Sequence, residues 1–102
     1  MQEVWKVIEG SNDAYEVSNF GKVIHEHPNT GKIKEVKQGA INGNICVRLN
    51  LDNKIKTVTV KRLVAEYFLV NENDHYYVIN INGDKSDNRA VNLEYSKNYN
   101  KQ

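Results

Sequence analysis

The chain of 102 residues is poor in several things that would narrow its class. It has one cysteine, Cys46, which excludes an intramolecular disulfide framework and any zinc site built from several cysteines. No apolar run approaches the roughly 18–20 residues that a membrane helix needs. The opening Met1-Gln2-Glu3-Val4-Trp5-Lys6 lacks the charged-then-apolar layout of a signal peptide. The expectation is a soluble protein of a reducing compartment, with no membrane partner. Proline occurs once. Asparagine occurs fifteen times, an abundance that AT-rich coding alone can produce, so no function is read from it. What remains is enough for a core: 39% of residues are hydrophobic and 26% charged. The length predicts a single domain over 1–102.

The net charge of +1 hides an asymmetry. Residues 31 to 62 carry eight basic side chains, Lys32, Lys34, Lys37, Arg48, Lys54, Lys56, Lys61 and Arg62, against Glu35 and Asp52. That block is +6, and the remainder, with six basic and eleven acidic residues, is −5. Mixed surface charge is common without any partner, but a concentrated basic block is also what a phosphate-contacting face leaves in a sequence.

The first forty residues read as short strands punctuated by turns. Val4 to Ile8 is β-prone and stops at Gly10-Ser11-Asn12-Asp13. Tyr15-Glu16-Val17 alternates, Ser18-Asn19-Phe20-Gly21 turns, and Lys22-Val23-Ile24 resumes a strand. Pro28 to Gly31 is a further turn, and Ile33 to Val36 a weak strand. The clearest hairpin spans Asn44 to Val60. Ile45, Val47, Leu49 and Leu51 alternate with Cys46, Arg48 and Asn50, and Asp52-Asn53 suit a tight turn that sets Val58 opposite Val47. The period then changes: Val60, Leu63, Val64, Tyr67 and Phe68 form one helical stripe, with Thr59 as the predicted N-cap and Lys61, Arg62 and Glu66 facing out. Tyr76 to Ile79 reads as a strand, Asn82-Gly83-Asp84 as a turn, and Asn88 to Tyr95 as a short final helix. The fold class is α+β: a small N-terminal antiparallel sheet, one amphipathic helix, then a β-turn-α tail.

Three segments resemble one family. Trp5 to Gly10 with Tyr15 to Val23 is similar to the N-terminal NUMOD-type motif of phage HNH homing endonucleases. Lys61 to Phe68 resembles the helix those proteins carry before their catalytic motif. Val78-Ile79-Asn80-Ile81-Asn82-Gly83-Asp84-Lys85-Ser86-Asp87-Asn88, continuing to Asn92-Leu93-Glu94-Tyr95, resembles the HNH motif itself. The likeness runs over nearly the whole chain. It implies a NUMOD-like β-rich part over 1–60, and a helix plus a ββα HNH-like motif over 61–102.

That resemblance also implies roles. HNH nucleases fold their motif around one divalent metal, with a histidine as general base. Here the base position is Asn80, whose amide accepts no proton near neutral pH; a positioned base is worth about 10²–10⁴ in rate. The preceding metal-ligand position is Ile79, which has no donor atom. The middle asparagine is kept as Asn92, and the last ligand position falls on Lys101, a cation. His75, five residues before Asn80, lies roughly 16 Å away along a strand at about 3.3 Å per residue. His25 and His27 read as exposed strand histidines, and Cys46 as a small strand residue. The expectation is therefore a degenerate site with no metal, no cofactor and no enzymatic activity.

A scaffold without catalysis leaves binding. The expected function is a phage or prophage protein in the cytoplasm of a bacterial host, binding DNA through its basic hairpin. Lys32, Lys34, Arg48, Lys54, Lys56, Lys61 and Arg62 are the candidate contacts. The alternatives are an anti-CRISPR-like inhibitor of a host nuclease or defence complex, using aromatic residues such as Tyr67-Phe68, Tyr76-Tyr77 and Tyr95, and a weakly active or decaying homing endonuclease.

Overall fold

A computed structural model describes residues 1–98. Among these residues nine strands and one α-helix lie in the order β1 (Trp5–Val7), β2 (Tyr15–Ser18), β3 (Val23–Glu26), β4 (Ile33–Glu35), β5 (Gly39–Ile41), β6 (Asn44–Leu51), β7 (Lys54–Thr59), α1 (Val60–Phe68), β8 (Tyr77–Asn80) and β9 (Leu93–Ser96). The strands form three antiparallel sheets in sequential order: β1 to β4, β5 to β7, and the pair β8–β9. The α+β class is as expected.

The central hairpin has the register read from its alternation, with Val47 paired to Val58 and Arg48 to Thr57. Asp52 and Asn53 both adopt positive φ, 53° and 63°, as a primed two-residue turn requires. Val47, Leu49 and Leu51 are buried, while Arg48 and Asn50 are exposed. A second hairpin precedes it. Ile41 pairs with Asn44 around Asn42-Gly43, whose φ values of 52° and 83° belong to the same turn type. No strand was expected at Gly39–Ile41, although Asn-Gly is among the strongest short hairpin signals.

Thr59 caps α1 as anticipated, its Oγ1 accepting from the Arg62 N–H at 3.3 Å. Val60, Leu63, Val64 and Ala65 are buried, and Tyr67 and Phe68 lie half-buried beside them. This stripe touches β2, β6, β7, β8, β9 and the turn before β9, so all three sheets share one core. Ile8, Val17 and Val23 enter it from the first sheet, Val47, Leu49 and Leu51 from the second, and Val78 and Leu93 from the third.

Two expectations are corrected. Lys61 and Arg62 are half-buried and do not point freely outward. Arg62 turns along the surface, donating from Nη2 to the Tyr76 carbonyl at 2.6 Å with its guanidinium 5.3 Å from the Tyr76 ring centroid. The segment from Asn88 to Tyr95 is not a helix: one 3-10 turn, Ala90–Asn92, leads into strand β9. Pairing with β8 decides this, since Asn80 faces Leu93 and Val78 faces Tyr95, and Leu93 reaches the core only as a strand residue. The β-strands of the expected ββα tail are present in β8 and β9; the helix does not lie at 88–95.

Leu63 is 4% exposed at the centre of the helical stripe. Leu63→Ala is expected to cost about 2–5 kcal/mol, a large share of what a domain of this size has in reserve. Denaturant unfolding of parent and variant checks it; coincident midpoints would place residue 63 outside the core.

Candidate nucleic-acid interface

The segment joining β8 to β9 is shaped by its own asparagine and aspartate side chains. Asn92, 7% exposed, accepts at Oδ1 from the Asn82 N–H at 3.2 Å. Its Nδ2 donates to Asn82 Oδ1 at 2.9 Å and to the Asp87 carbonyl at 2.8 Å. Asn80, with no exposure, donates from Nδ2 to that same Asp87 carbonyl at 2.9 Å and to Asn88 Oδ1 at 2.8 Å. Two buried amides, one at the end of β8 and one in the turn just before β9, thus hold one backbone oxygen. Asn82 Oδ1 also accepts from the Asp84 N–H, and Asp84 Oδ1 accepts from the Ser86 N–H and hydroxyl at 2.9 and 2.6 Å. The loop is a set of short side-chain-to-backbone turns, which is what asparagine and aspartate do best.

Those bonds also fix the loop's charges. Ser86 holds the Asp84 carboxyl below its ordinary range through its hydroxyl and N–H. Arg89 grips Asp87 with two bonds of 2.8 Å and lowers its pKa to about 2, chiefly by hydrogen bonding, with Asn82 adding a further donor.

The N-terminal part docks onto this loop. The Ala90 N–H donates to the Asn19 carbonyl at 2.8 Å. Gly21, at φ 86°, passes so close to Asn88 that a Cβ there would stand 3.1 Å from the Asn88 carbonyl oxygen. Glycine at this place satisfies both the backbone angle and the approach. Asn19 itself bridges to the N-terminal strand, accepting at Oδ1 from the Val4 N–H at 2.8 Å.

The candidate contact residues are spread over several surfaces. Arg48, Asn50 and Thr57 share the outer face of the β5–β7 sheet. Lys56 pairs with Leu49 and Lys54 with Leu51, so both lysines project from the opposite face, the one that carries α1. Lys56 there lines a groove with Glu9, Asp52 and Glu66. Lys32 flanks β4 and Lys34 lies on it, paired with His25. Arg62 is engaged with Tyr76. Lys61 is instead brought to Lys85, a residue that the charge-block reading left out; burial lowers the Lys61 pKa, and Lys85 and Arg62 lower it further. Only the folded β8–β9 loop reveals this neighbour, because 24 residues separate the two lysines in sequence.

The remaining singled-out residues have local roles. His25 is half-buried with its ring 4.8 Å from that of Tyr15, and the Tyr15 hydroxyl reaches the Asn50 N–H at 3.4 Å. His27 lies just past β3, its Nδ1 accepting from the Asn29 and Thr30 N–H groups. His75 sits in a loop clasped by the Asn71 side chain. Cys46 is a buried free thiol on β6.

A divalent metal, implied by the HNH resemblance, does not fit the described residues. Ile79 is 5% exposed and has no donor atom, and the Asn80 amide nitrogen is committed to the loop. Among the described residues no three His, Cys, Asp or Glu side chains converge to hold an ion. No catalytic step is derived through a metal, and Lys101 lies outside the described residues.

Comparison with known proteins fixes the class. The NUMOD4 motif family matches residues 3–82, and the chain belongs to that family. It is HNH-endonuclease-like. It is 37% identical over 82% of its length to the uncharacterized HNH endonuclease L245 of Acanthamoeba polyphaga mimivirus. It is 43% identical over 91% of its length to the uncharacterized HNH endonuclease L247 of the same virus. These matches span only 24% and 23% of the two relatives. Among solved structures it resembles the HNH homing endonuclease I-HmuI, described for its DNA binding and cleavage, with a TM-score of 0.77 and 32% identity over 91% of this chain and 52% of that one.

These findings overturn the expectation that the chain is no enzyme. The relatives are named as endonucleases and the structural neighbour is a homing endonuclease, which points to an enzyme. The residues at 79 and 80 do not decide the activity of proteins about four times the length of the matched span. The inhibitor and anti-defence readings gain no support from the comparisons. Among the described residues no helix is long and apolar enough to cross a membrane.

The Arg89–Asp87 pair gives a pH prediction. A carboxyl depressed in the folded state contributes stability above its unfolded value, and that contribution is lost as pH falls through the folded value. Here the window runs from 3.8 down to about 2. Arg89→Gln should move the Asp87 titration up toward 3.8. Side-chain carboxyl NMR across this range checks it; an unmoved titration would remove Arg89 as the cause.

Proposed function

We propose that the chain is a DNA-engaging unit of an HNH-type endonuclease, meeting duplex DNA through phosphate contacts from its basic residues. The observation that carries this reading is the likeness to I-HmuI over 91% of the chain. The charge pattern supports it, since the block from 31 to 62 is strongly basic in a nearly neutral chain. The naming of the relatives as HNH endonucleases supports the reading. In that reading Arg48, with Asn50 and Thr57 beside it, offers an exposed polar sheet face, and Lys32 and Lys34 offer a second basic strip. Lys54, Lys56 and Lys61 complete the proposed set from the side that carries α1, while Arg62 is held at Tyr76. Phosphate contacts of this kind give affinity and register, while hydrogen bonds to base edges give sequence preference.

The test is a titration of the chain with duplex DNA at several salt concentrations. Binding should weaken steeply with salt, because each neutralised phosphate on duplex DNA releases about 0.9 counterion. Arg48→Gln should weaken binding on all sequences alike and reduce the magnitude of the salt slope by about one. Absence of binding at low salt would remove the reading.

A further inference from the structure

The chain contains two Asn-Gly steps with nearly the same local sequence, Ile41-Asn42-Gly43-Asn44 and Ile81-Asn82-Gly83-Asp84. We propose that the first is a site of spontaneous covalent modification, at which Asn42 is deamidated through a cyclic imide with Gly43, and that the fold protects the second. This chemistry is independent of the DNA reading above.

The reaction needs no partner but water. The Gly43 backbone nitrogen gives up its proton and attacks Cγ of Asn42. A new C–N bond closes a succinimide ring, the Cγ–Nδ2 bond breaks, and Nδ2 leaves as ammonia with the proton that the backbone nitrogen released. Water then opens the imide at one of its carbonyls. Opening at Cγ leaves aspartate at 42 on a normal backbone. Opening at the main-chain carbonyl leaves isoaspartate, with the backbone routed through the side chain. The sum is one water consumed and one ammonia released, with no oxidant or reductant. Glycine favours the attack because no side chain shields its nitrogen.

The two steps differ in what the fold does with the reacting atoms. At the second step they are engaged. The Gly83 N–H donates to the Asn80 carbonyl at 2.9 Å. The Asn82 carboxamide is tied at both ends: Oδ1 accepts from the Asp84 N–H and from Asn92 Nδ2, each at 2.9 Å, and Nδ2 donates to Asp87 Oδ2 at 3.2 Å. Attack there requires breaking these bonds. Their anchors are secure, because the buried Asn80 and Asn92 also grip the Asp87 carbonyl.

The first step is unengaged. Asn42 and Gly43 are exposed. Among the described residues neither the Asn42 carboxamide nor the Gly43 N–H has a hydrogen-bond partner. Their turn closes β5, an edge strand of three exposed residues, so local opening there leaves the core intact.

Lys85 gives the reaction a consequence. Its Cδ and Nζ stand 3.5 and 3.6 Å from where a Cβ on Gly43 would be. Deamidation puts a carboxylate on the residue that adjoins this lysine-covered glycine, and takes the formal net charge from +1 to zero. Isoaspartate also lengthens the backbone inside a tight turn, which loosens the pairing of Ile41 with Asn44.

The whole chain, folded, is incubated in mildly alkaline buffer at physiological temperature, beside a second sample kept unfolded in urea. Both are followed over weeks by peptide mapping and mass spectrometry. In the folded chain Asn42 should convert at least about tenfold faster than Asn82, because an engaged site reacts only through local opening. In urea, with no fold to protect either site, the two rates should agree within about threefold. Equal rates in the folded chain overturn the proposal. So does a folded chain in which Asn42 stays intact while the unfolded sample converts. The same preference for Asn42 in urea would trace the selectivity to local sequence and overturn the part given to the fold. Amide hydrogen exchange supplies a second readout that needs no conversion. Relative to its own unfolded rate, the Gly83 N–H should exchange at least about tenfold more slowly than the Gly43 N–H. Equal protection of the two amides overturns the protection of the second step.

Discussion

Everything in this fold depends on one short helix whose single apolar stripe meets all three sheets. None of the three sheets can bury a face alone: the first has strands of three or four residues, and the third is a single hairpin. Isolated two-stranded sheets are marginal at best in water. The α1 stripe resolves this by giving all three the same apolar wall, with Val60, Leu63, Val64 and Ala65 at its centre. The contact is also architectural. It sets the N-terminal strands and the β8–β9 pair around one core, so the charged loops outside that core have fixed relations to one another.

Polar pinning completes what apolar packing begins. The β8–β9 connection has little apolar content to anchor it, and its form comes from Asn80 and Asn92 converging on the Asp87 carbonyl. A buried amide must satisfy its hydrogen-bonding groups or cost stability, so each of these side chains specifies a geometry as well as stabilising it. Asn80 is used here to hold the loop in shape. The same loop is then locked to the N-terminal part through Asn19, Gly21 and Ala90.

What could be read from the sequence was whatever had a strong local period or a local turn rule. The alternation from Ile45 to Leu51, the helical stripe from Val60 and the Thr59 cap are decided by neighbours a few residues away, and they stand as expected. The Asn42-Gly43 hairpin follows the same turn rule, but its first strand, Gly39-Ala40-Ile41, has little β character to mark it. The stretch from Asn88 to Tyr95 misled for a different reason. Its short apolar spacing fits a helix or a strand, and only pairing with β8, which is non-local, chooses the strand. The basic block was legible as composition but not as a surface. Strand parity sends Arg48 to one face and Lys56 to the other, and tertiary folding alone brings Lys85 to Lys61.

The same distinction explains why a net charge of +1 is a poor guide to the charges that any partner of this protein would meet. Charges beyond roughly 8 Å are largely screened at physiological salt, so a partner responds to local groupings and not to the total. Here the acids and bases are not equivalently placed. Asp84 and Asp87 are spent on shaping their own loop, and Asp52 lies against the Gly10 turn, its N–H bonded to the Gly10 carbonyl at 2.9 Å. Several cations have no such internal use: Arg48 is exposed on an open sheet face, and Lys85 is held over a glycine turn. At these places carboxylates shape a loop while Arg48 and Lys85 carry no ion pair among the described residues, although acids such as Glu9, Glu26 and Glu72 are exposed as well. A nearly neutral chain can in this way still present local groups of one sign.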